Sequence, residues 1–309
     1  MKVQTQLLIV VALIAGLSAN PIAQRRPTSN RRSTSQSSTL TIKTEPNAII
    51  WIDEIRRGTT NASGQLLVTK LSAGSHVLRT RATGFKETSI PLLPGRSQVT
   101  VKLVRTTDEA ELKFQEAEAA HEKAKDDEAR QHAVELYRES VKLRPSYAAA
   151  HLGLARTLLE LNQNEKALDE IEAARRTRPV YAEASAVEGR IYKEMAFADE
   201  AAKSFQRAIR EANGFQPEAH VGLARVYEDR GQYETAATEY ELAIKQLSDS
   251  EPVIYQLLGA TYERLEKYKE AVGAYEKYLK LAPNGNLAPA IRSIIDQVRR
   301  EAAGRDIVP

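Results

Sequence analysis

Cysteine is absent from all 309 residues, which excludes disulfide frameworks, thiolate zinc sites, iron–sulfur clusters and cysteine nucleophiles. Long apolar runs are also missing. The one candidate, residues 7–17, falls short of the ~20 residues that cross a bilayer. A strong excess of one charge is lacking as well. The formal net charge is +3, and Lys2, Arg25, Arg26, Arg31 and Arg32 all stand before residue 40. Removing those five leaves −2, without the basic excess that neutralises nucleic-acid phosphates. Catalytic signatures are wanting too: no P-loop, dinucleotide-binding glycine set, His-Glu-x-x-His or Gly-x-Ser-x-Gly occurs. The acidic residues follow the helical surface period rather than forming isolated pairs. The sequence therefore predicts a protein that is not an enzyme and needs no cofactor or metal.

What is present divides into segments. Lys2, the apolar stretch and the small residues Ser18, Ala19 and Ala23 have the layout of a secretory signal peptide over residues 1–23. This predicts export to the periplasm, the cell envelope or the medium. Residues 24–38 are polar and serine-rich and cannot bury enough surface to order, so they read as a linker. Its Arg25, Arg26, Arg31 and Arg32 would permit peripheral contact with a membrane or cell-wall polymer.

Residues 39–105 change to short β-branched runs separated by turn formers such as Pro46-Asn47, Asp53-Glu54, Ser63-Gly64 and Pro94-Gly95. Alternation over 39–44 and 98–104 has the period of two of half-buried strands. The expectation is a small β-sandwich filled by Trp51, Phe85 and the Leu, Ile and Val positions. Asn61-Ala62-Ser63 matches a glycosylation acceptor, a three-residue pattern that arises often by chance.

Several elements in order resemble the PEGA domain, a β-sandwich module of exported bacterial proteins. They are Glu45-Pro46-Asn47-Ala48, residues 50–53, Gly58-Thr59-Thr60, the Leu-x-x-Gly-x-His of 71–76 and Gly84-Phe85. Asn47 replaces a glycine of the motif, and asparagine tolerates positive φ. The resemblance implies location more than action.

After Arg105 the composition turns to helix formers, with Asp108 placed to cap the first helix. A repeat of 34 or 35 residues follows. Small residues recur at Ala155, Gly189, Ala224 and Gly259, and twelve positions later alanines stand at 167, 201, 236 and 271. Large residues recur at Ile171, Phe205, Tyr240 and Tyr275, with Pro145, Pro179 and Pro283 stopping second helices. This resembles the tetratricopeptide repeat. It implies about five helical hairpins over 107–286, the first degraded, a capping helix over 287–303 and a tail over 304–309. Glu188 departs from the pattern where a buried leucine is usual. His151 and His220 occupy one repeat position, Tyr192, Tyr227 and Tyr262 another, and both sets read as packing residues. Composition and periodicity switch together at Arg105, so few residues are expected to tie the β-module to the repeats, which would let the two unfold separately.

The fold class expected is thus multidomain, a PEGA-like β-sandwich followed by an all-α tetratricopeptide solenoid with a C-terminal cap. The family implies that Arg156, Arg190 and Arg225, one repeat apart, line a concave groove. There they would bind the carboxylates of an acidic peptide, or instead pair with Glu183, Glu218, Glu228 and Asp229 of adjacent hairpins. The function expected is a protein-binding scaffold. Two alternatives stay open: an envelope polymer-binding module with the repeats as spacer, and an accessory subunit of an envelope enzyme or secretion complex.

Overall fold

A computed structural model of the chain describes residues 38–71, 74–247 and 249–305. The segments expected as a signal peptide over 1–23 and as a linker with four arginines over 24–38 lie outside the described residues, except Ser38, which opens the first strand.

Seven strands form two sheets. They are β1 (Ser38–Lys43), β2 (Ile49–Ile52), β3 (Ile55–Thr59), β4 (Gln65–Leu71), β5 (His76–Arg81), β6 (Thr88–Leu92) and β7 (Gln98–Thr100). One sheet has the order β4-β1-β7, with β1 and β7 parallel, and the other has the antiparallel order β3-β2-β5-β6. Leu40, Ile42, Ile50, Ile52, Leu78 and Leu92 fill the space between them. The turns follow local chemistry. Asn47 takes φ 56°, and Thr60 fixes that corner by donating to the Glu45 carbonyl at 2.7 Å and accepting from the Ala48 N–H at 2.8 Å. Asp53 and Glu54, with φ of 51° and 63°, make the two-residue turn that joins β2 to β3, whose twist suits a tight hairpin. Asn61 Oδ1 accepts from the Ser63 and Gln65 N–H groups at 3.0 and 2.9 Å, so the acceptor-like tripeptide serves as a turn.

The core expected of the β-module needs one correction. In β2, Ile50 and Ile52 are buried between the sheets, so alternation sends Ile49 and Trp51 to the opposite face. Trp51 therefore does not fill the sandwich, and it looks toward the helices. Phe85 packs at the edge of the core.

The rest is helical: α1 (Glu109–Lys123), α2 (Asp127–Leu143), α3 (Ala148–Glu160), α4 (Asn164–Thr177), α5 (Ala182–Glu194), α6 (Ala198–Glu211), α7 (Pro217–Asp229), α8 (Tyr233–Leu247), α9 (Pro252–Arg264), α10 (Tyr268–Leu281) and α11 (Ala288–Arg305). Asp108 caps α1 by accepting from Ala110 and Glu111 N–H groups. Five antiparallel hairpins stack in order, and α11 covers the last of them with Ala288, Ile291, Ile295 and Val298. The small residues act as the repeat requires. The ring of Phe205 lies between Gly189 of its own hairpin and Gly222 of the next, where a Cβ would stand 2.7 and 2.3 Å from ring atoms. Glu188, at its leucine position, is accommodated by an ion pair with Arg207 of α6.

Candidate functional site

The first helices of the hairpins, α1, α3, α5, α7 and α9, build one face, and the outer surface of β3-β2-β5-β6 stands over it. Alternation in β5 buries Leu78 and Thr80 and directs Arg79 and Arg81 away from the sandwich core. The register sets Trp51 opposite Arg79 and Ile49 opposite Arg81. Both guanidinium groups lie over the indole, at 4.4 and 5.1 Å from its centroid, a cation–π arrangement that fixes ring and arginines together.

These arginines reach the helices. Arg81 bonds Glu118 of α1 at 2.6 Å and Glu87 at 2.7 Å, and the two carboxylates together hold its pKa above the ordinary range although burial opposes this. Arg79 bonds Glu54 at 2.5 Å and Glu183 of α5 at 3.3 Å. Arg56 bonds Glu122 at 2.7 Å. Main-chain contacts add to these: the Gln115 side chain donates to the Phe85 carbonyl and accepts from the Gly84 N–H, each at 2.8 Å. Glu111 accepts from the Glu87 N–H at 2.9 Å. The sparse connection expected near Arg105 is therefore corrected: charged and main-chain contacts tie the β-module to α1 and α5. Further along, Ile55 packs on the apolar cluster of Leu247, Ile254 and Leu258, with Val221 at its edge. Asp53, Glu54 and Ile55 share a hollow of about 350 Å³ with Pro217, Val253 and neighbouring residues.

The three arginines expected to line the groove have different surroundings. Arg156 lies in a cavity of about 380 Å³ between sheet and helices, alongside Arg56, Arg79 and Arg81. Arg190 pairs with Glu218 at 3.2 Å, both side chains exposed. Arg225 is exposed, beside Tyr240. Sequence reasoning missed the β-module's contribution of Trp51, Arg56, Arg79 and Arg81. The available signal was parity: in β2 and β5, Trp51, Arg79 and Arg81 occupy the phase opposite to the core aliphatics.

His151 and His220 play one structural part twice. Their Nδ1 atoms lie 2.6 Å from Glu170 and Glu239, and their Nε2 atoms 3.0 and 3.4 Å from the carbonyls of Pro145 and Gly214. Each stitches a hairpin to the loop before it. Burial disfavours the charged form of His151, but the bonds to Glu170 and to the Pro145 carbonyl leave its pKa raised. Tyr192, Tyr227 and Tyr262 are half-buried at the edges of the apolar clusters. Among the described residues no group of three His, Asp or Glu side chains is placed to hold a metal ion.

Three tetratricopeptide repeat models match residues 126–191, 186–252 and 252–284. The chain belongs to the tetratricopeptide repeat family. The solved structure of TTC0263, a thermophilic TPR protein of Thermus thermophilus, is 20% identical with a TM-score of 0.50, over 61% of this chain and 98% of that one. PilF of Pseudomonas aeruginosa is 14% identical with a TM-score of 0.54, over 63% of this chain and 86% of that one. At these identities the likeness is one of fold. No curated protein sequence matches significantly. The tetratricopeptide repeat hairpins thus account for the helical face, and the β-module standing on it is this chain's own addition to that face.

Proposed function

We propose that this protein is a non-enzymatic interaction scaffold, exported from the cytoplasm, that holds a protein or peptide client on the face of its first helices. The observation that carries this reading is that the face already receives a polypeptide segment in cis. The Asp53-Glu54-Ile55 turn rests against α7 and α9, its aliphatic side chain on an apolar cluster. A surface that accepts an acidic turn followed by isoleucine from its own chain has the chemistry to accept one from another protein. The client is accordingly an acidic segment with an aliphatic anchor, and it competes with the β2–β3 turn for α7 and α9. The N-terminal apolar pattern and the lack of cysteine support export, and the PEGA-like elements support a place in the cell envelope.

The test uses the full chain and a fluorescent peptide spanning residues 48–60. Ile55→Asp in the chain should free the face and strengthen anisotropy-detected binding of this peptide about tenfold or more over the parent chain. A peptide that itself carries Ile55→Asp should not bind. Equal binding by both chains, or binding indifferent to the isoleucine, would refute the reading.

A further inference from the structure

Beyond the client face lies the enclosed region beneath the sheet. Its cavity of about 380 Å³ has an apolar wall that includes Trp51, Ile49, Phe114 and Leu152 and a cationic wall of Arg56, Arg79, Arg81 and Arg156. Interfaces between domains are where small-ligand sites concentrate, and this volume lies within their usual range of roughly 300–1,000 Å³.

The decisive feature is how the charges are distributed. Three carboxylates surround Arg156, and each is already engaged. Glu118 is held by Arg81 and by the Tyr137 hydroxyl at 2.5 Å, Glu183 by Arg79 and Glu218 by Arg190. Among the described residues Arg156 itself enters no hydrogen bond or ion pair. It stays charged nonetheless. Burial pulls its pKa down, but the fields of Glu183, Glu218 and Glu118 outweigh that and raise it. Four arginines line the cavity beside Glu118, Glu122 and Glu183, and Glu87 and Glu54 pair with Arg81 and Arg79 from outside its lining. Arg156 is half-buried and lines the cavity, where a carboxylate would answer its fork with two parallel bonds. The carboxylates already around Arg156 disfavour a second negative charge beside it, and a purely polar anion would leave the apolar wall unused.

We propose that this cavity binds a small organic monoanion, a single carboxylate on an apolar body, with Arg156 as its anchor and Trp51 and Phe114 against the body. Glu183 and Glu118 remain with Arg79 and Arg81 and keep the anchor pointed into the cavity, so the site exists only while the β-module stands on the helices.

Trp51 is the only tryptophan of the chain and lines the cavity, so its emission reports occupancy without labelling. The full chain is titrated with 3-phenylpropionate, with the neutral 3-phenylpropionamide, and with inorganic phosphate. The acid should give a saturable change in Trp51 emission, with the amide about tenfold or more weaker and phosphate without effect at the same concentration. Arg156→Gln should weaken the acid about tenfold, whereas Arg299→Gln, in an exposed pair with Glu276 at the C-terminal end of the array, should leave it unchanged. The acid and amide titrating alike, or neither saturating, would overturn the proposal, and this comparison needs no variant. Phosphate competing as well as the acid would also overturn it, marking a general anion patch. This cavity and the hollow around Ile55 share no lining residue, so failure here leaves the client reading standing, and the reverse holds too.

Discussion

Glu54 of the β-module and Glu183 of α5 share one guanidinium, that of Arg79, at 2.5 and 3.3 Å. Two carboxyl groups so close cannot both ionise freely. Burial first, then the hydrogen bond and charge of Glu183, push Glu54 up to about 8, although Arg79 and Arg178 oppose this. Burial also disfavours ionised Glu183, but the bond to Glu54 and the charges of Arg156, Arg79 and Arg178 bring its pKa below the ordinary value. The pair thus shifts the proton toward Glu54 and the charge toward Glu183.

The stability of the docked chain should fall as pH rises from 4.5 through about 8. Over that window the folded chain retains a proton on Glu54 that the unfolded chain has released. Glu183 acts in the other direction and only at lower pH, its contribution being lost as pH falls below 4.5. With solvent screening allowed for, the Glu54 effect should be on the order of 1–2 kcal/mol. Thermal melts between pH 5 and 9 should show this slope in the parent and a flatter one in Glu54→Gln, whose amide is neutral throughout. Equal slopes in the two proteins would dissociate Glu54 from the effect.

Gly222→Ala should destabilise the array by about 1–3 kcal/mol, because its Cβ would enter the ring of Phe205 from the next hairpin. Gly273 is a control within the same repeat architecture. It lies in α10 with nothing within 4 Å of an added Cβ, so Gly273→Ala should stabilise by up to about 1 kcal/mol through helix propensity. Urea midpoints that move in the same direction for both would contradict this account of the glycines.

Glu188→Leu should raise stability by about 1 kcal/mol, which corresponds to about 2–4 °C in Tm for a unit of this size. Leucine restores the packing that Leu154, Leu223 and Leu258 provide at equivalent positions, and Arg207 keeps Glu211 nearby. A lowered Tm would mean that the Glu188–Arg207 pair contributes more than the apolar contact it replaces.

The helical array was legible in the sequence because its determinants are local and recur. A small residue, an alanine twelve positions on and a large apolar or aromatic residue four beyond that state the hairpin in each copy, and Phe205 meets its glycines where the repeat implies. Asp108 and Asn47 were legible for the same reason, each acting on its own neighbouring backbone. Trp51 was misplaced because hydrophobicity alone assigns an indole to the nearest core, whereas strand parity assigns it to the opposite face. The partners of Arg79 and Arg81 lie up to a hundred residues away in sequence. No periodicity within the β-module could reveal them, and so repeat spacing alone did not anticipate that Arg156 would share a cavity with Arg56, Arg79 and Arg81.

Gln115 and Glu111 of α1 grip the loop after β5 through its main chain: the Gly84 N–H, the Phe85 carbonyl and the Glu87 N–H. Contacts of that kind ignore side-chain identity. Over evolutionary time the exposed Lys86 is free to drift, whereas Gln115 and Glu111 are not, so related sequences that keep this joint should hold those two helix positions more tightly than position 86. A β-module moved to another helical scaffold would need to bring α1 with it.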